Sequence, residues 1–181
     1  MHQMPATDAP VKPPHGAATP GSRTNLYWLI GVAIVLGGVG VSAWRFSAYI
    51  ERAKTLQARV HLAELGERAS QAYAWNGQLC PSATRAVPGT LAEVKGKSYF
   101  PRADDFAEAG FGCLGIVRDT DNWVEPTYFQ YDYRADATSF EVIAHGDLNG
   151  DGKPSTLILR GKVENGRVVL ADDLEVVDAL E

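Results

Sequence analysis

The chain has 181 residues, 22 acidic against 17 basic side chains, a net charge of -5 and an isoelectric point near 5.4. That balance argues against a nucleic-acid partner, whose phosphates demand a basic surface, and no Lys/Arg cluster interleaved with aromatics offsets it. Roughly 130 residues remain once an N-terminal tail and one apolar run are set aside, enough for one domain of common size.

Residues 1–24 carry Pro5, Pro10, Pro13, Pro14 and Pro20 among Ala, Thr, Gly and Ser. Such a stretch buries too little apolar surface to offset its ordering entropy and is expected to be a disordered tail. The sequence VKPPH within it lacks the spacing of a PxxP ligand.

Residues 25–45 are the expected transmembrane helix. From Leu26 to Trp44 the run LYWLIGVAIVLGGVGVSAW is free of charge and lies between Arg23 and Arg45. With Thr24 and Asn25 it makes about 21 uncharged residues, which at helical rise cover roughly the 30 Å hydrocarbon thickness of a bilayer. Tyr27 and Trp28 at one end, and Trp44, Phe46 and Tyr49 at the other, stand where amphipathic rings prefer the headgroup level. Small residues at Ala33 and Gly37, and at Gly38 and Ser42, allow close approach of a second membrane helix. The competing reading is a signal peptide cut after Ala43, where Val41-Ser42-Ala43 offers the small residues a signal peptidase accepts. The long, weakly charged segment before the run and the length of the run itself favour a retained anchor.

Residues 46–76 continue in helical grammar, with no proline before Pro81 and Asn76-Gly77 as a stop. Leu56, Val60 and Ala63, then Leu62, Leu65, Ala69, Ala72 and Tyr73, recur at intervals of three and four and are taken as one apolar stripe. Arg52, Lys54, Arg59, Glu64, Glu67 and Arg68 are assigned to the opposite side. The expectation is one helix of about 50 residues, half in lipid and half against a folded domain.

Residues 77–181 form the expected globular region. As far as Pro126 it reads as loops, with short helices near Thr90–Val94 and Asp104–Glu108. Tyr99, Phe100, Phe106, Phe111 and Trp123 are expected to supply packing. The two cysteines, Cys80 and Cys113, are an even count read as one disulfide in an exported domain. Two buried thiols in a cytoplasmic domain are the alternative.

From Thr127 the grammar changes to strands. TYFQYDY alternates Tyr128, Gln130 and Asp132 with Phe129, Tyr131 and Tyr133; a turn at Ala135 to Ala137 leads into SFEVIA. STLILRG and KVENGRVVL follow, the latter with Asn165-Gly166 between apolar flanks, a strong hairpin signal. The fold class is therefore α+β, a long N-terminal helix packed on a small antiparallel meander of three or four strands.

Between the second and third strands Asp147, Asn149 and Asp151 alternate and are followed by Gly152, the first half of an EF-hand-type calcium loop. Lys153 would offer its carbonyl and Ser155 a hydroxyl or a water. The twelfth position, normally a bidentate Glu, is Ile158, so a calcium site here is expected to be weak. Asp119 and Asp121 are candidates to complete it. The same residues also make a polar hairpin turn without metal. No nucleophile elbow, Walker loop, dinucleotide fingerprint or zinc-protease motif occurs. His145, the one histidine among concentrated carboxylates, reads as a solvated loop residue, and no enzyme is expected.

An apolar-then-amphipathic helix leading through a disulfide-bearing region into a small antiparallel sheet resembles type IV pilins and the pseudopilins of type II secretion. The likeness is most specific in YFQYDYRADATSFEVIAHGDLNGDGKPSTLILRG, where Gly146 to Gly152 is similar to the GDLDGDG-type loop joining two strands of pilin-like fimbrial proteins. The resemblance implies a pilin-like fold, other pilin-like or secretion-apparatus subunits as partners, and a single-pass anchor in the cytoplasmic membrane with the C-terminal domain on the periplasmic side. The chain departs from that family at its N-terminus. None of Gly21, Gly31 and Gly40 precedes a Phe-Thr-Leu-Ile-Glu type sequence, and no acidic residue lies between Arg23 and Arg45. A count of positive charge, with Lys12 and Arg23 before the run and Arg45, Arg52, Lys54 and Arg59 after it, points the opposite way on orientation. The cysteine pair and the pilin likeness place the domain outside. The alternative function is an anchored, calcium-dependent binding module, or the same domain secreted after cleavage near Ala43.

Overall fold

The computed structural model describes residues 21–102, 104–116 and 125–177, and within them the backbone alone at 21–26, 39–44 and 47–48. Most of the Pro-rich tail, Trp123, and the candidate ligands Asp119 and Asp121 lie outside the described residues. The chain divides into two compact units at Arg45/Phe46.

In the first unit the chain from Gly21 is helical, the start of α1 (Gly21–Asn76). Among the described residues no helix is long and apolar enough to cross a membrane. Within residues 25–45 the continuous block with described side chains runs from Tyr27 to Gly38, a rise of roughly 18 Å against the ~30 Å a span requires. The side chains of the expected span are therefore described only in part.

The second unit holds the rest of α1 and all other elements. The helix stops where the sequence says it should. Gly77 takes φ +71 and donates its N–H to the Tyr73 carbonyl at 2.8 Å, the left-handed C-terminal cap that glycine adopts without strain. A 3-10 turn at Leu91–Glu93, a short helix α2 (Asp105–Glu108) and a second 3-10 turn at Phe111–Leu114 follow. The first two match the expected short helices. Thr90 begins the first turn, its backbone N–H and hydroxyl both donating to Glu93 Oε1 at 3.1 and 2.9 Å.

Strands β1 (Gln130–Ala135), β2 (Ser139–Gly146), β3 (Ser155–Glu164) and β4 (Arg167–Leu170) form an antiparallel meander. A fifth strand, β5 (Glu175–Val177), is absent from the sequence reading. It pairs with the first half of β3 on the edge whose second half pairs with β4. Asn165 and Gly166 both take positive φ, +52 and +76, as the tight β3–β4 turn requires. Asp136 closes the β1–β2 turn by accepting the N–H groups of Thr138 and Ser139, each at 2.7 Å, which holds its carboxyl down at about 2.

The period-two alternation of β1 sends Phe129, Tyr131 and Tyr133 into the core, as their spacing predicts. Phe140, Val142, Ala144, Leu157 and Leu159 complete that face, and Ala58, Leu62, Leu65 and Ala69 of α1 cover it. Each of these four leucines contributes about 2 kcal/mol by leaving water. Gly66 marks the closest approach of helix to sheet, because a Cβ there would stand 2.6 Å from Leu159 Cδ2. Two aromatic rings lie over glycines of the neighbouring strand, Phe129 over Gly146 and Phe140 over Gly161.

The single stripe expected on this helix is in fact two. Leu62, Leu65 and Ala69 face the sheet, with Ala72 and Tyr73 half-buried, whereas Leu56, Val60 and Ala63 point to solvent. The buried row begins instead at Thr55 and Ala58, in step at three and four with Leu62 and Leu65. Of the aromatics expected to pack, Phe106 and Phe111 do, edge to face at 5.3 Å, while Phe100 is exposed.

Cys80 and Cys113 are joined as expected, with Cα atoms 5.8 Å apart. The segment after Cys80 runs along the outer edge of β1. Ala83 N–H donates to the Tyr133 carbonyl, and Val87 exchanges both backbone bonds with Tyr131. It thereby blunts an edge that would otherwise offer a row of unpaired backbone groups.

Candidate functional site

The oxygen-rich stretch between β2 and β3 begins at Asp147, which is buried, while Asn149 and Asp151 are exposed. Each turns its side chain onto the backbone ahead. Asp147 Oδ1 accepts the Gly150 N–H at 2.8 Å and Oδ2 accepts the Gly152 N–H at 2.9 Å. Asn149 Oδ1 takes the Asp151 N–H at 3.0 Å, and Asp151 Oδ1 takes the Lys153 N–H at 2.7 Å. Such local bonds are what Asx residues offer a loop in place of a ladder. Gly150 and Gly152 supply φ +78 and +93, conformations that a side chain would strain.

A brace that the sequence reading missed comes from the turn after the first 3-10 segment. Gly96 donates its N–H to the Asp147 carbonyl at 2.7 Å, and a Cβ on Gly96 would stand 3.4 Å from Gly150 Cα. Two left-handed glycines thus let two loops touch backbone to backbone. Lys95 brings its ammonium to the same place, with Nζ 3.3 Å from where a Cβ on Gly152 would be. Lysine-glycine is common at solvated turns, so nothing in the sequence ties Lys95-Gly96 to residue 147.

Of the five residues assigned to a cation, the structure brings Asp147, Asn149 and Asp151 into one loop and puts Lys153 at its exit. Ser155 is buried and opens β3, paired with Gly146. Ile158 sits in the ladder opposite Ile143 and Glu175, and the Glu175 carboxylate is taken by Arg160. The twelfth position therefore offers no substitute carboxylate. Among the described residues no group of three or more His, Cys, Asp or Glu is disposed around a common point. Beyond these bonds the loop keeps as acceptors Asp151 Oδ2 and the remaining lone pairs of its Asx oxygens.

The histidine readings change. His145 is not in the loop: it lies near the end of β2, half-buried, with Nδ1 2.8 Å from Thr156 Oγ1 on the neighbouring strand. Burial lowers its pKa, with Asp132 opposing. His61, which carried no role in the sequence reading, is buried on α1 with Nδ1 2.8 Å from the Tyr131 hydroxyl, which also receives the Thr127 hydroxyl at 3.3 Å. Its pKa is lowered by desolvation against the pull of Glu64 and Glu125, and burial pushes the Tyr131 phenol up. Its place in step with Ala58, Leu62 and Leu65 was the signal that could have found it. This polar thread ties α1 to β1 inside the core. Tyr133, its phenol pushed up to about 12 by burial, has no hydrogen-bond partner for its hydroxyl among the described residues.

The unit from Phe46 on is an α+β domain whose one amphipathic helix covers one face of an antiparallel sheet, with a disulfide tying the intervening loops. No protein-family model, curated protein or solved structure matches the chain.

Proposed function

We propose that this protein is a single-pass, membrane-anchored pilin-like component with a structural or assembly role in a pilus- or secretion-type apparatus, and not an enzyme. The observation that carries the reading is the packing of the α1 face Ala58–Leu62–Leu65–Ala69 across an antiparallel meander behind a disulfide-bearing region. That is the architecture the pilin resemblance implies. The formed disulfide supports placing the domain on the oxidising, periplasmic side of the cytoplasmic membrane. The test is membrane extraction together with the mass of the mature chain. The chain should stay in the membrane pellet at alkaline pH and keep the residues ahead of Leu26. Release into the soluble fraction, with a new N-terminus near Trp44, would overturn the anchor in favour of a secreted domain.

A second reading is favoured by the loop geometry. The four Asx bonds that shape Asp147 to Lys153 leave the side chains of Asn149 and Asp151 exposed in the loop that the buried Asp147 opens. In this reading calcium orders the loop for contact with another envelope component. Calorimetry of the full chain in detergent with millimolar calcium discriminates: heat and a thermal upshift support it, and their absence leaves a turn.

A further inference from the structure

The outward side of α1 in the second unit carries Phe46, Tyr49, Ala53, Leu56, Val60 and Ala63 at alternating steps of three and four. All six are exposed, with Phe46 at 64%, Tyr49 at 70%, Leu56 at 61% and Val60 at 57%. The sheet is covered by the other side of the helix, so nothing within the domain accounts for the row, whose first two residues, Phe46 and Tyr49, stand at the expected membrane surface. Spacing of three and four is that of a coiled-coil seam, with Leu56 and Val60 as its aliphatic pair.

We propose that this row is the seam of a parallel, in-register pair formed with a second copy of the same chain. The charges on its flanks choose the occupant and the direction. One flank carries Arg52 and Arg59, and the other carries Gln57 and Glu64. In a parallel pair each residue of the first flank meets the residue five places further on in the second copy, so Arg59 meets Glu64, while Gln57, opposite Arg52, is turned inward and donates to the Pro126 carbonyl at 3.0 Å. Antiparallel pairing would instead set arginine against arginine. Arg68 bonds one oxygen of Glu64 at 2.9 Å, and the carboxylate has a second to offer.

The area is consistent with a pair that needs a tether. The four large side chains expose on the order of 500 Å² per copy, so a pair buries about 1,000 Å², the lower limit for a specific interface. Here the inference rests on the anchored reading, since two chains held by the preceding apolar run share one direction and one surface, which raises their effective concentration.

The experiment is cysteine cross-linking of the full chain in its membrane under a mild oxidant. Leu56→Cys lies on the seam, and Lys162→Cys, exposed on β3, is the off-seam control. Persistence of the Cys80–Cys113 bond by non-reducing mass spectrometry certifies the fold of each variant. The expected result is a self-cross-linked dimer from Leu56→Cys at about tenfold the control yield. Adding Arg59→Glu should lower that yield, and combining it with Glu64→Arg should restore it. Equal yields at both cysteines, an adduct to a different protein, or a yield indifferent to both charge changes would overturn the pair. Membrane retention is scored in the same samples: a soluble chain sinks the anchor, while the cross-linking pattern still judges the pair.

Discussion

Adding one methyl group at Gly161 tests the register on which the sheet is built. Gly161 lies opposite Phe140 in the β2–β3 ladder, and a Cβ there would stand 2.3 Å from Phe140 Cε1 and 2.4 Å from Cζ. Ordinary carbon contacts are near 3.5 Å, so the ring must give way by roughly 1.2 Å. It has no room to do so, because Phe140 is 1% exposed and packs on Tyr133 with ring centroids 5.7 Å apart. Overpacking of this kind costs about 1–3 kcal/mol, and more where the ring is trapped. The gain from replacing a strand glycine offsets about 0.5–1 kcal/mol of that. Gly161→Ala should therefore lose about 2 kcal/mol, a fall of roughly 6–10 °C in melting temperature for a domain of this size. Phe140→Leu shortens the ring that clashes, so in the double variant the two losses should be markedly sub-additive. Thermal unfolding of the four proteins reads the cycle. A neutral Gly161→Ala, or strictly additive losses, would refute the placement of Phe140 over Gly161 and with it the register.

Reducing the Cys80–Cys113 bond should destabilise the domain by roughly 4 kcal/mol, the chain-entropy value for a loop of this length; unfolding curves with and without reductant measure it. Stability should also depend on pH through His61. Its pKa in the fold lies below the ordinary 6.5, so above 6.5 its full contribution is present, and as pH falls below 6.5 the unfolded chain takes up a proton that the fold refuses. His145 acts in the same direction. The melting temperature should fall on acidification from pH 7.5 to 5.5, and His61→Gln should flatten that fall; a slope unchanged in the variant contradicts the assignment. Asp147→Ala removes the acceptor for two N–H groups at a buried position and should cost about 2 kcal/mol even without calcium. Lys95→Gln removes a positive charge beside the same loop and should raise any calcium affinity; calorimetry that shows weaker binding in this variant argues against a cation at Asp147.

Much of the sheet was legible because its local rules agree. Phe129, Tyr131 and Tyr133 alternate with polar neighbours, Asn165-Gly166 fits only a tight hairpin turn, and Asn76-Gly77 stops the helix with the one residue that adopts the left-handed cap without strain. The helix face was not legible. Its apolar residues lie on two sides, and periodicity cannot say which side meets the sheet, so nothing in the spacing separates Leu56, Val60 and Ala63 from the buried row. Strand β5 was missed because three residues set among acids carry no alternation, and its pairing with β3 is a long-range choice. Lys95-Gly96 reaches the Asp147 loop across fifty residues of chain, a contact that composition does not record. The loop itself is ambiguous in principle, since Asp, Asn and Gly serve a tight turn and a hard cation with the same atoms.

The most direct test of the account asks on which side of the membrane the domain stands. Protease added to the outer face of intact cytoplasmic membranes should cut the region after Phe46 and leave the segment before Leu26 protected, with Cys80 and Cys113 still joined in the peptides released. A domain that resists protease until the membrane is breached, with Cys80 and Cys113 recovered as free thiols, would contradict the anchored, exported protein proposed.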